Sequence, residues 1–169
     1  MQIRREEKRD YEAVYAVVMA AFAAAEHADG NEQDLVVALR GSEAFCPELS
    51  LVAEQDGEIV GHILFTEITI GGKKALALAP LSVAPAHQKQ GIGLALMEAG
   101  HTIAAELGYG YSVVLGHEAY YPKAGYVPAK EYGIEAPFEV PAENFMAKKL
   151  RADAEVAKGI VKYAAEFGI

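Results

Sequence analysis

The chain has 169 residues and a formal net charge of −9, with 24 acidic residues against 15 basic ones. This length is that of one domain, so we treat residues 1–169 as a single domain. A surface this negative repels phosphate backbones, which argues against nucleic-acid binding. Cys46 is the only cysteine, so no internal disulfide can form. Without an apolar run of about 18 residues or a convincing signal peptide, we expect no membrane span and a cytoplasmic location.

The N-terminal part of the chain predicts one strand followed by two helices. Residues 3–4 indicate a short first strand, and Asp10 is the expected N-cap of the first helix. The apolar face of that helix recurs at helical spacing, at Val14, Val17, Val18, Ala21 and Phe22. After a loop over about residues 25–30, Asn31 is expected to cap a second helix that ends at Gly41. The apolar positions of this second helix are Leu35, Ala38 and Leu39.

The middle of the chain changes from the helical period to strand-like composition. Strands are predicted over residues 49–54, 58–70 and 75–83. Asp56-Gly57 and Gly71-Gly72 separate them, and both pairs are typical of tight hairpin turns because they accept positive φ angles. The sequence therefore predicts a three-stranded antiparallel meander.

The C-terminal half alternates between helices and strands. A helix is predicted from about Gly91 to Leu107, with its apolar face at Ile92, Leu96, Ala99, Ile103 and Leu107. Strands are predicted at residues 111–115, 126–127 and 145–150, and a short helix at residues 118–124. Residues 156–167 fit either a helix or a strand. The whole order predicts a mixed α/β fold, in which helices cover both sides of a mixed sheet.

The segment between the third predicted strand of the meander and the following helix has the features of a phosphate-binding turn. A helix start presents unpaired N–H groups and a positive dipole end, which together favour a phosphate. Gly91 and Gly93 lack a Cβ, so the backbone can approach a pyrophosphate, and Lys89 adds a positive charge. A Rossmann fingerprint would need a glycine where Leu96 stands, and a P-loop lysine-serine pair is absent. A tight turn that binds nothing is the alternative.

The residues Gln88-Lys89-Gln90-Gly91-Ile92-Gly93 resemble the acetyl-CoA signature of the GNAT superfamily, Gln/Arg-x-x-Gly-x-Gly/Ala, without a departure. The resemblance covers almost the whole chain. Residues 39–40, 79–83 and 120–126 are most similar to the bacterial YhbS-like branch of the superfamily.

This resemblance implies the GNAT fold, a central mixed sheet of about seven strands whose fourth and fifth strands splay apart to admit pantetheine. It also implies an acetyl-CoA-dependent N-acetyltransferase that acts on an amine without a metal. The expected cofactor contacts are Leu81, Ser82, Val83, Gln88, Lys89, Gln90, Gly91, Ile92, Gly93 and Leu94. Pro80 donates no hydrogen bond, so it would free the backbone of the following residues for pantetheine, or it marks an edge strand.

The resemblance also implies a proton donor, Tyr121, because GNAT enzymes with a catalytic tyrosine place it at this distance before a Gly-Phe pair. Here the pair is Gly125-Tyr126. A tyrosine pKa near about 10 and a thiol pKa near about 8.5 suit proton transfer to the leaving sulfur. Tyr120 is the competing candidate, and only one of two adjacent helical residues is expected to face the thiol. The remaining alternative is that both rings only pack.

The other catalytic groups are less evident from the sequence. A backbone N–H near Leu81 is the expected oxyanion donor. The strand over residues 75–83 carries no carboxylate, so no general base is obvious. The candidates for the base are Glu26, His62, Glu67 and His117. The alternative for each is a structural or surface role. His117 and Glu118 do not form a zinc motif, because the fifth position is Tyr121, and no metal site is apparent.

The acceptor is predicted to be a small or medium cationic amine, because the net charge of −9 draws cations. Carboxylates in a first acidic stretch could hold it: Glu26, Asp29, Glu32 and Asp34. A second stretch, residues 129–143, adds Tyr132, Glu135, Phe138 and Glu139. An ordinary solvated acidic surface is the alternative for both stretches.

Two other functions are weighed against the enzyme. The first is a non-catalytic acyl-CoA-binding sensor on the same fold, which the missing base favours and Tyr121 disfavours. The second, a nucleotide-binding oxidoreductase, lacks its fingerprint. The sequence does not indicate one oligomeric state, and a homodimer is compatible with it.

Overall fold

The computed structural model describes residues 1–23 and 29–169. Its described part contains nine strands: β1 (Gln2–Arg5), β2 (Phe45–Gln55), β3 (Glu58–Ile70), β4 (Lys73–Val83), β5 (Tyr111–Leu115), β6 (Val127–Pro128), β7 (Ile134–Glu135), β8 (Phe145–Lys149) and β9 (Gly159–Lys162). The α-helices are α1 (Tyr11–Ala23), α2 (Glu32–Arg40) and α3 (Ile92–Glu106). Short 3-10 turns lie at Lys8–Asp10, Pro85–His87, Tyr121–Ala124, Ala129–Tyr132, Ala142–Asn144 and Ala165–Phe167.

The strands form a mixed sheet in the order β1-β2-β3-β4-β5-β8-β6, to which β9 and β7 are added beside β3. Along the main path, β4 and β5 are parallel and the other pairs are antiparallel. The seven strands of this path confirm the predicted sheet. Both hairpin turns are also confirmed, because Asp56, Gly57, Gly71 and Gly72 all have positive φ angles.

The pairing between β4 and β5 is short. It joins Leu76 to Ser112 and Ala77 to Val113, whereas β4 continues to Val83. On its other side β4 stays paired with β3, but the register shifts between Leu78 and Leu81, which leaves an extra residue on β4 at the position of Pro80. The two parallel strands therefore separate after one pairing step, as predicted, and the proline lies in the bulge where they do so.

Helices cover the two faces of the sheet, as the alternation of side chains along β2 shows. Val52 packs with side chains of α1 and α2, namely Val14, Val18 and Val36. The neighbouring residues Leu51 and Ala53 point to the opposite face and belong to the core that α3 completes with Leu96 and Met97. The predicted covering of both faces is confirmed.

The start of α1 differs from the prediction. Asp10 does not cap α1, since it ends a 3-10 turn whose N-cap is Glu7. The Asp10 carboxylate accepts the Glu7 N–H at 2.8 Å and two bonds from the Arg4 guanidinium at 2.8 and 3.0 Å. Asn31 precedes α2 without capping it, and the Glu32 carboxylate accepts N–H groups of the preceding loop instead. Neither Asp10 nor Asn31 therefore provides the predicted side-chain cap.

The buried face of α3 also differs from the prediction. Leu107 lies beyond the helix and is 43 % exposed, and Ile103 is only half-buried. Ile92 and Leu96 are buried as predicted, but the buried positions also include small and polar residues, among them Gly93, Gly100 and His101. Gly100 lies directly against the Phe65 ring, so the absence of a side chain, rather than an apolar one, brings the helix onto the sheet.

Two further segments resolve open or approximate predictions. The helix predicted over residues 118–124 is only the 3-10 turn Tyr121–Ala124. The C-terminal segment forms strand β9 and not a helix, pairing with β3 on one side and with β7 on the other.

Candidate active site

The turn between β4 and α3 presents a helix start without a cap. Lys89 and Gly91 both adopt left-handed backbone conformations, with φ angles of 64° and 84°, and they turn the chain into the helix. Among the described residues no side chain caps α3, so the N–H groups of residues 92–94 lack intrahelical partners. The Gln88 side chain donates to the Val83 carbonyl at 3.2 Å and closes the turn. The geometry is that of an anion-binding helix N-terminus.

A cleft of about 620 Å³ opens at this helix start. Five elements supply its described lining: α1, β4, the turn into α3, the first turn of α3, and the turn after β5. The lining residues are Ala21, Phe22, Leu81, Val83, His87, Gln88, Lys89, Gly91, Ile92, Gly93, Leu94, Tyr120, Tyr121 and Lys123.

The predicted cofactor residues line this cleft with two exceptions, Ser82 and Gln90. Leu81 and Val83 pack with the core on the α3 side, so the Ser82 side chain, between them, points to the opposite face and is buried there. Gln90 is exposed at the outside of the turn. The side chains of these two residues are therefore not part of the cleft.

Tyr120 and Tyr121 both line the cleft, against the expectation that only one of them would face it. The reason is local, because Tyr120 precedes the 3-10 turn and Tyr121 is its first residue, so the two are not spaced as in an α-helix. The Tyr120 hydroxyl lies directly against Gly93, where a Cβ would collide with it. The Tyr121 ring lies over Gly116 and meets the Tyr120 ring edge to face.

The surroundings of the two hydroxyls keep them protonated. Burial raises the pKa of Tyr121 well above its usual range, and the neighbouring Tyr120 hydroxyl raises this pKa further. Burial also raises the pKa of Tyr120. Both side chains therefore carry a proton at neutral pH, which a proton donor requires.

A buried hydrogen-bonded group supports the Tyr121 turn. The Tyr126 hydroxyl lies 2.8 Å from Ser112 Oγ and 2.9 Å from His101 Nε2, and its ring meets the Tyr121 ring edge to face. Burial lowers the pKa of His101 to about 4, so this imidazole is neutral. The Lys148 ammonium donates to the Ala124 carbonyl at 2.8 Å at the end of the turn. Side chains of α3, β5 and β8 thus hold the turn in place.

None of the described candidates for a general base lines the cleft. Glu67 accepts a hydrogen bond from the Tyr109 hydroxyl at 2.6 Å. His62 is fully buried beside Ser50, and burial lowers its pKa to about 4. His117 is exposed and accepts the N–H of Ala119. The fourth candidate, Glu26, lies outside the described residues.

The sequence prediction missed the basic residues Lys123 and His87 and the apolar residues Ala21 and Phe22 of the lining. Lys89 and Lys123 make the cleft cationic, and none of its described lining residues is a carboxylate. Lys123 belongs to the same short turn as Tyr121, which is the one local signal that could have identified it.

Within residues 1–23 and 29–169, no group of three or more histidine, cysteine or acidic side chains is placed to hold a metal ion. Over the same residues, none of the helices has both the length and the apolar character needed to cross a membrane.

Two parallel strands separate beside an uncapped helix start, and a turn that carries a tyrosine lines the same cleft. This combination defines an acyltransferase of the GNAT class. The family model described as the Acetyltransferase (GNAT) family matches residues 4–126, and the chain belongs to this family.

Similar proteins agree with this assignment. The uncharacterized N-acetyltransferase YjhQ of Escherichia coli K12 is 37 % identical over 142 residues, which are 79 % of this chain and 78 % of YjhQ. The crystal structure of Escherichia coli YhbS in complex with CoA has a TM-score of 0.89 and 27 % identity, covering 99 % of this chain and 92 % of that one. A GNAT family acetyltransferase from Brucella melitensis in complex with acetyl-CoA has a TM-score of 0.80 and 33 % identity, covering 98 % and 97 %. The predicted similarity to YhbS is confirmed.

Proposed function

We propose that this chain binds acetyl-CoA in the cleft and transfers the acetyl group to the amine of a small molecule. The observation that carries the proposal is the placement of an uncapped helix start and a protonated tyrosine, Tyr121, on one cationic cleft. The complexes of YhbS with CoA and of the Brucella melitensis protein with acetyl-CoA support it.

In this proposal the cofactor follows the cleft from the helix start inward. Its pyrophosphate lies against the N–H groups at residues 91–94, with Lys89 and Gln88 beside it. Its pantetheine amides pair with the backbone of residues 81–83, because among residues 1–23 and 29–169 no strand pairs with β4 on that side beyond its short pairing with β5. Ser82 takes part through its backbone only, and the exposed Gln90 makes no side-chain contact.

The chemistry is a direct attack. The neutral amine nitrogen attacks the thioester carbonyl, and a backbone N–H near Leu81 stabilises the oxyanion. When the intermediate collapses, the C–N bond stays, the C–S bond breaks, and Tyr121 donates its proton to the leaving sulfur. The proton released from the nitrogen goes to solvent, and the tyrosine regains one. None of the described candidates for a general base lines the cleft, and the one histidine of the described lining, His87, lies in the turn proposed to hold the pyrophosphate. We therefore expect the acceptor to lose its first proton to water, so that the rate rises from about pH 7 to about pH 9.

The acceptor class follows from charge. The net charge of −9 favours a small or medium cationic amine over anionic acceptors. In the first acidic stretch, Glu32 and Asp34 are occupied by hydrogen bonds from the loop backbone and the Tyr15 hydroxyl. Asp29 of the same stretch and Glu135 and Glu139 of the second stretch are exposed, so we assign attraction of the acceptor to these three carboxylates. Glu26 lies outside the described residues.

The test is a product screen. The protein is incubated with acetyl-CoA and a panel of polyamines, aminoglycosides, amino acids and basic peptides, and acetylated products are identified by mass spectrometry. We expect acetylation of cationic amines, with a KM that rises with salt because screening weakens the attraction. Binding of acetyl-CoA without any product would instead establish the non-catalytic sensor. A preference for anionic acceptors would contradict the assignment of the substrate class.

A further inference from the structure

The cleft receives positive charge from two separate elements. Lys89 belongs to the turn before α3, and Lys123 belongs to the 3-10 turn after β5. Only Lys89 lies in the segment proposed to hold the pyrophosphate. In a chain with a net charge of −9, a second lysine on a lining without a described carboxylate is a local reversal of the overall charge.

The environment of Lys123 leaves its charge available. Two lysines outside the cleft are paired with carboxylates, Lys73 with Glu155 at 2.8 Å and Lys74 with Glu67 at 3.7 Å. Lys123 has no carboxylate within ion-pair distance among residues 1–23 and 29–169. Its Nζ lies 5.9 Å from the centroid of the Tyr120 ring instead, over the ring face.

Tyr120 places this ammonium beside the start of α3. Its hydroxyl lies against Gly93 in the first turn of the helix, so its ring connects the helix start to Lys123. A cation over an aromatic face is attracted to it without losing its ability to bind an anion. The lysine is therefore partly ordered next to the proposed pyrophosphate site.

We propose that Lys123 binds a phosphate group of acetyl-CoA, as a second phosphate contact beyond the backbone N–H groups of α3. The inference rests on the proposed function. A lysine ammonium binds a phosphate as a compact point charge, and hydrogen bonds between two charged groups are stronger than neutral ones. CoA offers two such groups, the pyrophosphate and the 3′-phosphate of the ribose.

The test is calorimetric titration of CoA into the wild-type protein, Lys123→Gln and a matched control, Lys162→Gln. Lys162 is an exposed lysine on β9 outside the cleft lining, so its replacement changes the net charge by the same amount. At low salt we expect Lys123→Gln to bind CoA about tenfold more weakly, and the control to stay within about twofold. The difference should shrink as salt is added, because the contact is electrostatic.

Titration with dephospho-CoA, which lacks the 3′-phosphate, identifies the group. If Lys123→Gln weakens binding of CoA alone, the contact is with the 3′-phosphate, and if it weakens both ligands equally, the contact is with the pyrophosphate. Equal CoA affinities of Lys123→Gln and the wild type would overturn the proposal and leave the proposed function intact. A wild-type protein that binds no CoA would refute the proposed function itself.

Discussion

At the scale of single residues, the hydroxyl of Tyr121 is the group on which the proposed chemistry depends. Tyr121→Phe keeps the ring over Gly116 and removes only the proton donor. We expect kcat for acetyl transfer to fall by about 100-fold while the affinity for acetyl-CoA stays nearly unchanged. Steady-state kinetics and calorimetry on the same preparation measure both quantities.

Tyr120→Phe is the matched control, since it removes the neighbouring hydroxyl from the same cleft. The loss of kcat for Tyr120→Phe should be smaller, because the Tyr120 hydroxyl lies against Gly93 at the start of α3. A larger loss of kcat for Tyr120→Phe than for Tyr121→Phe would identify Tyr120 as the proton donor.

Among the predicted cofactor residues that line the cleft, some have a role that depends on local backbone geometry. Gly91 and Gly93 stand out because a helix start with close backbone approach restricts these positions to glycine. Phe22 has no such local signal, because it reaches the cleft only when the end of α1 comes together with a distant turn, and the one local signal of Lys123 is its place in the Tyr121 turn. Ser82 lies in a strand that the sequence predicted, but the strand prediction alone does not show to which face of the sheet its side chain points.

At the scale of elements, the contact between α3 and the Tyr121 turn is set by one glycine. A Cβ at Gly93 would collide with the Tyr120 hydroxyl, whereas the ring carbon that bears it lies 3.5 Å from that Cβ position. Gly93→Ala must therefore push Tyr120 into the cleft or shift the helix start. We expect acetyl-CoA to bind about tenfold more weakly to Gly93→Ala, as for an overpacked contact.

A double-mutant cycle separates the two routes by which this change can act. In the Tyr120→Phe background the collision is absent, so Gly93→Ala should weaken binding much less, and calorimetry on the four proteins gives the coupling. If Gly93→Ala weakens binding equally in both backgrounds, the added methyl group acts on the bound cofactor directly, and the contact with Tyr120 has no part in the effect.

Helices and strands were predictable where the turn residues and the hydrophobic periodicity indicate the same element. They were less predictable where tertiary packing determines the element or its buried face. The bounds of β3 and β5 match the prediction, because β3 begins and ends at hairpin turns and β5 is a short apolar run. The buried face of α3 was predicted only in part. Ile92 and Leu96 are buried as predicted, but Gly100 and His101 are also buried by contact with Phe65 and Tyr126, which apolar periodicity does not register. Strand β9 remained ambiguous, because it exists only through pairing with β3 and β7.

At the scale of the whole molecule, two buried histidines couple stability to pH. His62 is fully buried and His101 is 8 % exposed, and burial lowers the pKa of each to about 4. In the unfolded chain a histidine has a pKa near about 6.5. Between these two values the unfolded state binds more protons than the folded state, so the free energy of unfolding falls as the pH falls through that window.

The expected loss is on the order of a few kcal/mol between about pH 7.5 and about pH 4.5, since each unit of pKa difference corresponds to about 1.4 kcal/mol per group. Asp10 acts at lower pH, because the Arg4 guanidinium lowers the pKa of its carboxyl, and the stability that this pair contributes is lost only as the pH falls through that lowered pKa.

Urea unfolding at several pH values measures the loss. The variants His62→Gln and His101→Gln are each less stable at neutral pH, because they disturb the contacts with Ser50 and Tyr126, but each should show a smaller decrease on acidification. A double variant that still loses as much stability as the wild type would show that other groups cause the acid sensitivity of the fold.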